Sequence, residues 1–350
     1  MKSCHGRTKR IKTFATTLIV TLMIVSCAPT SRLSLRSLAP GRGIEIGAAV
    51  SAEALRRDYL YGRTLAREFS RVTPENALKF RSVHPEKDRY DFGDADFIVR
   101  FSEAHGMKVR GHTLVWHKQL PAWLEEGTWT RDELIDILRD HITTVIGRYR
   151  GRVPVWDVVS EAIDDDCSPR DTLWLRGIGP EYIDMAFHWA HEADPDALLF
   201  YNDYGGEGLG DKADAIYILA SDLVHRGVPI DGVGLQMHVA LEWYPEPRAV
   251  AANMKRLAAL GLQVHVTEMD VSLRAPVTEE ELHAQARIYG DMLDVCLSAD
   301  NCDDFALWGF TDRYSWIPHF FPGWDCALIF DSHCHPKPAY KTILNTLKKR

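Results

Sequence analysis

One unit recurs along this chain and limits its fold more than any other feature: a short β-prone run, a polar turn, then an amphipathic stretch. The runs lie at Glu45–Val50, Arg71–Thr73, Lys108–Leu114, Val155–Val159, Leu198–Tyr201, Gly232–Gln236, Val264–Thr267 and Phe305–Gly309. Helical patterns such as Arg131–Tyr149, Tyr182–Glu192, Lys212–Arg226 and Glu279–Leu297 alternate with them. Apolar strands alternating with helices argue for a parallel sheet covered on both faces. Eight units in about 300 residues match the size of a (β/α)8 barrel, with a doubly wound open sheet as the competing arrangement. The ends of the runs separate the two. Glu75-Asn76, His112 and Trp116, Glu161, Asn202-Asp203, Gln236 and His238, Glu268, and Trp308 and Asp312 all follow strands. A barrel gathers such ends at one mouth, whereas an open sheet scatters them along a crevice. The expectation is an α/β protein, a single-domain (β/α)8 TIM barrel over residues 44–350.

The first residues have a different character. Lys2, Arg7, Lys9, Arg10 and Lys12 precede an apolar run, Phe14 to Val25, that is too short to span a bilayer and has the length of a signal peptide core. The run ends in Ile24-Val25-Ser26-Cys27-Ala28, which resembles the lipobox of bacterial lipoproteins. Residues 1–27 are therefore expected to be a lipoprotein-type signal peptide ending at Cys27, the lipidation site, with an ordinary secretory leader as the alternative. Ala28 after the cysteine, rather than Asp, suggests the outer rather than the inner membrane. Residues 28–43 lack periodicity and read as a tether.

Removing residues 1–26 takes away five basic and no acidic residues, so a net charge of −8 becomes −13. A strongly acidic chain is a poor ligand for polyanions, which argues against nucleic acid as a partner. Besides Cys4 and Cys27, the cysteines are Cys167, Cys296, Cys302, Cys326 and Cys334. Their spacing does not fit a zinc site. In an oxidising compartment it allows two pairs, Cys296–Cys302 and Cys326–Cys334, with Cys167 free.

Two runs of β-branched residues end in a carboxylate: Val155-Trp156-Asp157-Val158-Val159-Ser160-Glu161 and Val264-His265-Val266-Thr267-Glu268. An unpaired carboxylate beside an apolar strand is costly, so packing does not account for it. A salt-bridged structural role is open to either residue alone, but two at opposite positions of one barrel favour function. Paired carboxylates facing a cleft are what cleavage of a glycosidic bond requires. One protonates the leaving oxygen; the other attacks the anomeric carbon or activates water.

Seven segments resemble glycoside hydrolase family 10, which consists mainly of endo-1,4-β-xylanases. They are Thr73 to Lys79, Gly111 to His117, Trp156 to Glu161, Asn202-Asp203-Tyr204, Gly234 to His238, Thr267 to Asp270, and Trp308 to Trp316. They run in order along the barrel region, about one to a strand. The resemblance implies a retaining mechanism with Glu161 as acid/base and Glu268 as nucleophile. It implies that His238 bonds the nucleophile and that Asp270 orients that histidine. Lys79 and His112 match residues that hold the sugar at the point of cleavage, and Glu75 and Asn76 those that bind the next sugar. Trp116, Trp308 and Trp316 match the aromatic walls of the cleft, and Gln236 a contact to both sugar and acid/base. Asn202 falls among the substrate-binding positions, and Tyr204 matches a ring on the aglycone side. Cys296 and Cys302 fit a disulfide of the family. No metal or organic cofactor is implied, since two carboxylates suffice.

The chain departs from the family pattern at Ser160, where the family normally has Asn. That Asn donates to the sugar 2-hydroxyl, a bond that strengthens in the transition state. Serine is shorter, which points to a working but slower enzyme or a different glycone. Gly205 and Ile317 replace a usual Asn and Arg. Asp164, Asp165 and Asp166 read as a solvated loop; facing the cleft, they would instead disfavour uronic-acid-bearing xylan. The leading expectation is a monomeric xylan-type endo-hydrolase, exported and lipid-anchored at the bacterial envelope or secreted, with xylan or xylo-oligosaccharide as partner. The alternatives are a carbohydrate-binding lipoprotein whose catalysis has decayed, and a transglycosylase or a hydrolase of a related β-1,4 glycan.

Overall fold

The computed structural model describes residues 33–349, together with Met1 and Ser3. Cys27 and nearly all of the expected leader lie outside the described residues, as does the start of the expected tether. Among the described residues no helix is long and apolar enough to cross a membrane.

Eight parallel strands form the body: β1 (Glu45–Val50), β2 (Arg71–Pro74), β3 (Lys108–Gly111), β4 (Val155–Ser160), β5 (Leu198–Asp203), β6 (Gly232–Leu235), β7 (Gln263–Arg274) and β8 (Asp304–Leu307). Each pairs with the next, and β8 pairs with β1 through Glu45↔Asp304 to Ala48↔Leu307. That last pairing closes the barrel and excludes the open sheet. Eight helices cover it, one after each strand: Tyr59–Glu68, Gly93–Ala104, Arg131–Tyr149, Tyr182–Ala193, Asp211–His225, Pro247–Ala258, Glu279–Ser298 and Pro338–Lys348. Two begin with reciprocal caps. Thr130 and Glu133, and likewise Thr278 and Glu281, exchange side-chain and backbone hydrogen bonds, which satisfies amides the first turn leaves unpaired.

All strands but β1 differ from expectation by at least one residue at an end. β3 ends at Gly111, although Leu114 and Val115 still donate to β4 carbonyls, and β8 ends at Leu307. β7 runs seven residues further, to Arg274, along His238–Ala240 on one side and Trp324–Asp325 on the other.

The barrel interior is not purely apolar. Arg110 forks onto Asp157 and also donates to His265 Nδ1 at 2.9 Å. Since Nδ1 accepts there, His265 carries its proton on Nε2, which donates to Asp303 at 2.8 Å. Arg71 pairs with Asp304 at 2.8 Å in the same layer. Buried charges of this kind persist only when paired.

Part of the expected tether is folded. Leu35–Leu38 is one helical turn and Ala39–Arg42 a 3-10 turn. Leu35 and Ala39 are fully buried, and the Leu35 N–H donates to Glu68. Arg42 caps the last helix by donating to the carbonyls of Thr346 and Lys349. Each turn has only four residues, too few to show a period, so composition dominated the reading. Cys296 and Cys302 form a disulfide, but Cys326 and Cys334 do not pair. They face different surroundings: Cys326 lies by Asp312 and Lys337, Cys334 by Thr311 and Thr64.

Candidate active site

Strand pairing changes step at Glu268 and shortly before Glu161. The β4–β5 register shifts between Asp157 and Val159, and the β7–β8 register between Val266 and Met269. Such bulges re-aim side chains at a barrel rim. Glu161 follows β4 directly and takes a left-handed backbone, φ 57°.

Glu268 is fully buried, which alone would favour its neutral form. His112, His238 and Asn202 outweigh that cost and hold its carboxyl below the usual range of a glutamate. Asn202 Nδ2 donates to Oε1 at 2.7 Å, and His238 Nε2 lies 3.3 Å from Oε2. Burial also opposes charge on His238, but Asp270 at 3.0 Å, together with Glu268, pushes it up to about 10. His238 is therefore a cation at neutral pH, and both ring nitrogens donate. Trp316 Nε1 donates to the same Asp270 oxygen at 2.8 Å.

Glu161 is also enclosed but bound differently. Gln236 Nε2 donates to Oε1 at 3.2 Å, while Oε2 has no hydrogen-bond partner among the described residues. His117 Nδ1 stands 3.7 Å from Oε2. Burial pushes His117 down to about 4, so its ring is neutral near pH 7. Two residues span both glutamates. Gln236 gives its amide to Glu161 and accepts the Glu268 N–H on its carbonyl; Asn202 accepts the Glu161 N–H and gives its amide to Glu268. One carboxylate held ionised and one with an unpaired oxygen are thus tied to the same pair of residues, through side-chain amides and backbone carbonyls.

Lys79 is buried, and desolvation lowers its pKa. It donates to Asn76 at 3.1 Å and lies over the rings of Trp116 (4.7 Å) and Trp308 (5.6 Å). Burial raises the carboxyl of Glu75, with Lys79 opposing. His112 donates from Nδ1 to Asp157 at 3.0 Å and packs edge-on against Trp308. Glu75, Asn76, Lys79, His112, Trp116, Trp308 and Trp316 are thereby linked to one another or to the two glutamates.

Three expected substrate contacts have their polar groups committed within the protein. Asn202 has no exposed surface, and its amide is used by Glu268, so it supports the carboxylate rather than lining the cleft. Tyr204 is half-buried; it donates to Asp165 at 2.6 Å and accepts from Arg170 at 3.0 Å. Ser160 is buried, and its hydroxyl lies 2.9 Å from Thr113 Oγ1. The one Thr113 hydroxyl proton goes to the Asp157 carbonyl, so Ser160 is the donor in that contact. It has no second proton to give. The acidic run is largely neutralised as well: Asp164 pairs with Arg170 and Asp165 contacts Lys212.

Sequence reasoning missed Arg110, Asp157, His117, Arg170 and the part played by Thr113. Asp157, His117 and Thr113 stood inside recognised segments; what could have exposed Arg110 and Asp157 is a charge of each sign at the centre of a neighbouring apolar strand. Among the described residues, no group of three or more His, Cys, Asp or Glu side chains is placed to hold a metal ion.

Residues 34–346 match Glycosyl hydrolase family 10. The chain is 41% identical over 335 residues to endo-1,4-beta-xylanase B of Thermotoga neapolitana, covering 94% of this chain and 96% of that one. It superposes on xylanase 10B of Thermotoga petrophila, solved in complex with xylobiose, with a TM-score of 0.88 and 44% identity. That match covers 91% of this chain and 98% of the other. Native xylanase 10B of Thermotoga maritima gives the same TM-score and identity over 90% of this chain and 98% of that one. With the family's match spanning every strand of the barrel and both glutamates, this chain belongs to glycosyl hydrolase family 10.

Proposed function

We propose that the chain is a retaining endo-1,4-β-xylanase with Glu268 as nucleophile and Glu161 as acid/base. The observation that carries this reading is the asymmetry of the two carboxylates. Glu268 is held ionised by His238, His112 and Asn202, while Glu161 is gripped only at Oε1 and its buried Oε2 is unpaired among the described residues. The relatives named endo-1,4-beta-xylanase support the substrate class.

In the first step a Glu268 oxygen attacks the anomeric carbon while the glycosidic C–O bond breaks and Glu161 gives its proton to the leaving oxygen. In the second, Glu161 takes a proton from water, the hydroxide attacks the same carbon, and Glu268 departs as a carboxylate. Lys79 and His112 hold the sugar at the cleavage point, and Glu75 and Asn76 the next one. Trp116, Trp308 and Trp316 wall the cleft, with Gln236 and Ser160 beside the acid/base and Tyr204 toward the leaving side. Asp270 fixes the His238 ring. No step requires a cofactor.

Incubation with xylohexaose, with Glu268→Ala as control, tests the reading. We expect shorter products, the β-anomer appearing first by NMR, and a loss on the order of 10⁴-fold or more in the variant. Longer products would indicate a transglycosylase, no products a carbohydrate binder, and α-anomer first would exclude retention.

We further propose that residues 1–27 are a lipoprotein leader ending at Cys27, which carries the lipid and would hold the barrel at the cell envelope. The basic residues, apolar run and Ser26-Cys27-Ala28 support this. Palmitate labelling that persists in Cys27→Ser would overturn it.

A further inference from the structure

Glu161 has a left-handed backbone, φ 57°, that L-residues avoid. Its N–H is held by the Asn202 carbonyl at 2.9 Å. Its carbonyl is held by one side chain, Arg170, whose Nε donates at 2.8 Å.

Arg170 reaches this point because residues 162–170 fold back on themselves. Ile163 bridges Pro169, Asp164 N–H donates to Ser168, and Arg170 N–H donates to Ala162 at 2.7 Å. The hairpin thus returns its last residue to the base of the acid/base. The guanidinium fork is then fully engaged. Nη2 donates to the Ile163 carbonyl and to Tyr204 Oη, both at 3.0 Å, and Nη1 pairs with Asp164 at 2.9 Å. Tyr204 is fixed in turn by Asp165 and by Lys212, whose Nζ lies 3.3 Å from the ring centroid. A planar fork of fixed donors suits such a task, and lysine cannot reproduce it.

We propose that Arg170 is a positioning residue for the acid/base: its grip on the Glu161 carbonyl, braced by Asp164 and Tyr204, keeps the Glu161 carboxyl aimed at the scissile oxygen. This rests on the assignment of Glu161 made above. Arg170 touches no reacting atom. The acidic run acquires a role as the brace of that clamp rather than as a repellent surface.

A misplaced acid slows reactions in proportion to how much the leaving group needs a proton. The test compares kcat/KM on aryl β-xylobiosides with poor (phenyl) and good (dinitrophenyl) leaving groups, for the intact chain, Arg170→Lys, Asp164→Asn and Glu161→Ala. In Arg170→Lys we expect a loss of about 10–100-fold for the phenyl substrate and less than about threefold for the dinitrophenyl one. The kcat on the latter should also fall and be restored by azide, which needs no general base. Asp164→Asn, which leaves the fork in place, should show the same bias at about threefold and serves if Arg170 variants fail to fold. Equal losses on both substrates, or none, would overturn the proposal. If Glu161→Ala itself shows no leaving-group bias, the acid/base assignment falls first; if it does and neither loop variant follows, only the role of Arg170 falls.

Discussion

A histidine enclosed by protein normally sheds its proton, yet His238, flanked by Asp270 at 3.0 Å and Glu268 at 3.3 Å, is held protonated up to about 10. Its raised value means that this stabilisation is complete below pH 6.5 and is lost as pH climbs through about 10. The same cation favours the ionised nucleophile, so the acid limb of kcat/KM should lie below pH 4.5. His238→Asn removes the charge, favours protonated Glu268, and should move that limb to higher pH; a pH–rate profile with an unmoved limb would contradict the coupling. Ser160 invites the opposite experiment. Its only hydroxyl proton is spent on Thr113, so a sugar hydroxyl meets an acceptor where the family places a donor. Ser160→Asn should raise kcat on xylo-oligosaccharides about tenfold, roughly 1.4 kcal/mol of transition-state binding. An equal or lower kcat would sink that account.

At the level of elements, the site depends on how β5, β6 and β7 fit together. Gly234 on β6 pairs with Asn202 on β5 and with His265 on β7. A Cβ there would come within 2.3 Å of Asn202 Oδ1 and 2.9 Å of Thr267 Cγ2. Thr267 donates to Asn202, and Asn202 to Glu268, so a methyl group at 234 would disturb the nucleophile through two bonds. We expect Gly234→Ala to cost about 1–3 kcal/mol in chemical denaturation and to lower kcat tenfold or more. A stable variant of undiminished kcat would show that the amide has other freedom. The strands themselves were legible because β-branched runs end at polar residues. What those polar residues do was less so. Asn202 read as a sugar contact because sequence places it at a strand end without saying which way the side chain turns. Arg170 was invisible for a related reason: it lies nine residues after Glu161, and only the hairpin brings it back.

For the molecule as a whole, eight repeats set the size of a barrel, and the polar residues at the strand ends distinguished it from an open sheet. The N-terminal margin was misjudged, as the four-residue turns at Leu35–Leu38 and Ala39–Arg42 are held by burial rather than pattern. Leu35→Ala should therefore destabilise the barrel by about 2–5 kcal/mol, as a core substitution does; a change in melting temperature too small to resolve would restore the tether. The interior chain from Asp303 through His265, Arg110 and Asp157 to His112 ends 3.8 Å from the nucleophile. An engineer seeking a hardier enzyme would look first at those buried ions, because well-packed apolar replacements often stabilise a fold. Here that route runs straight into the catalytic centre: whatever toughness is gained by greasing the axle is taken from the blade it turns.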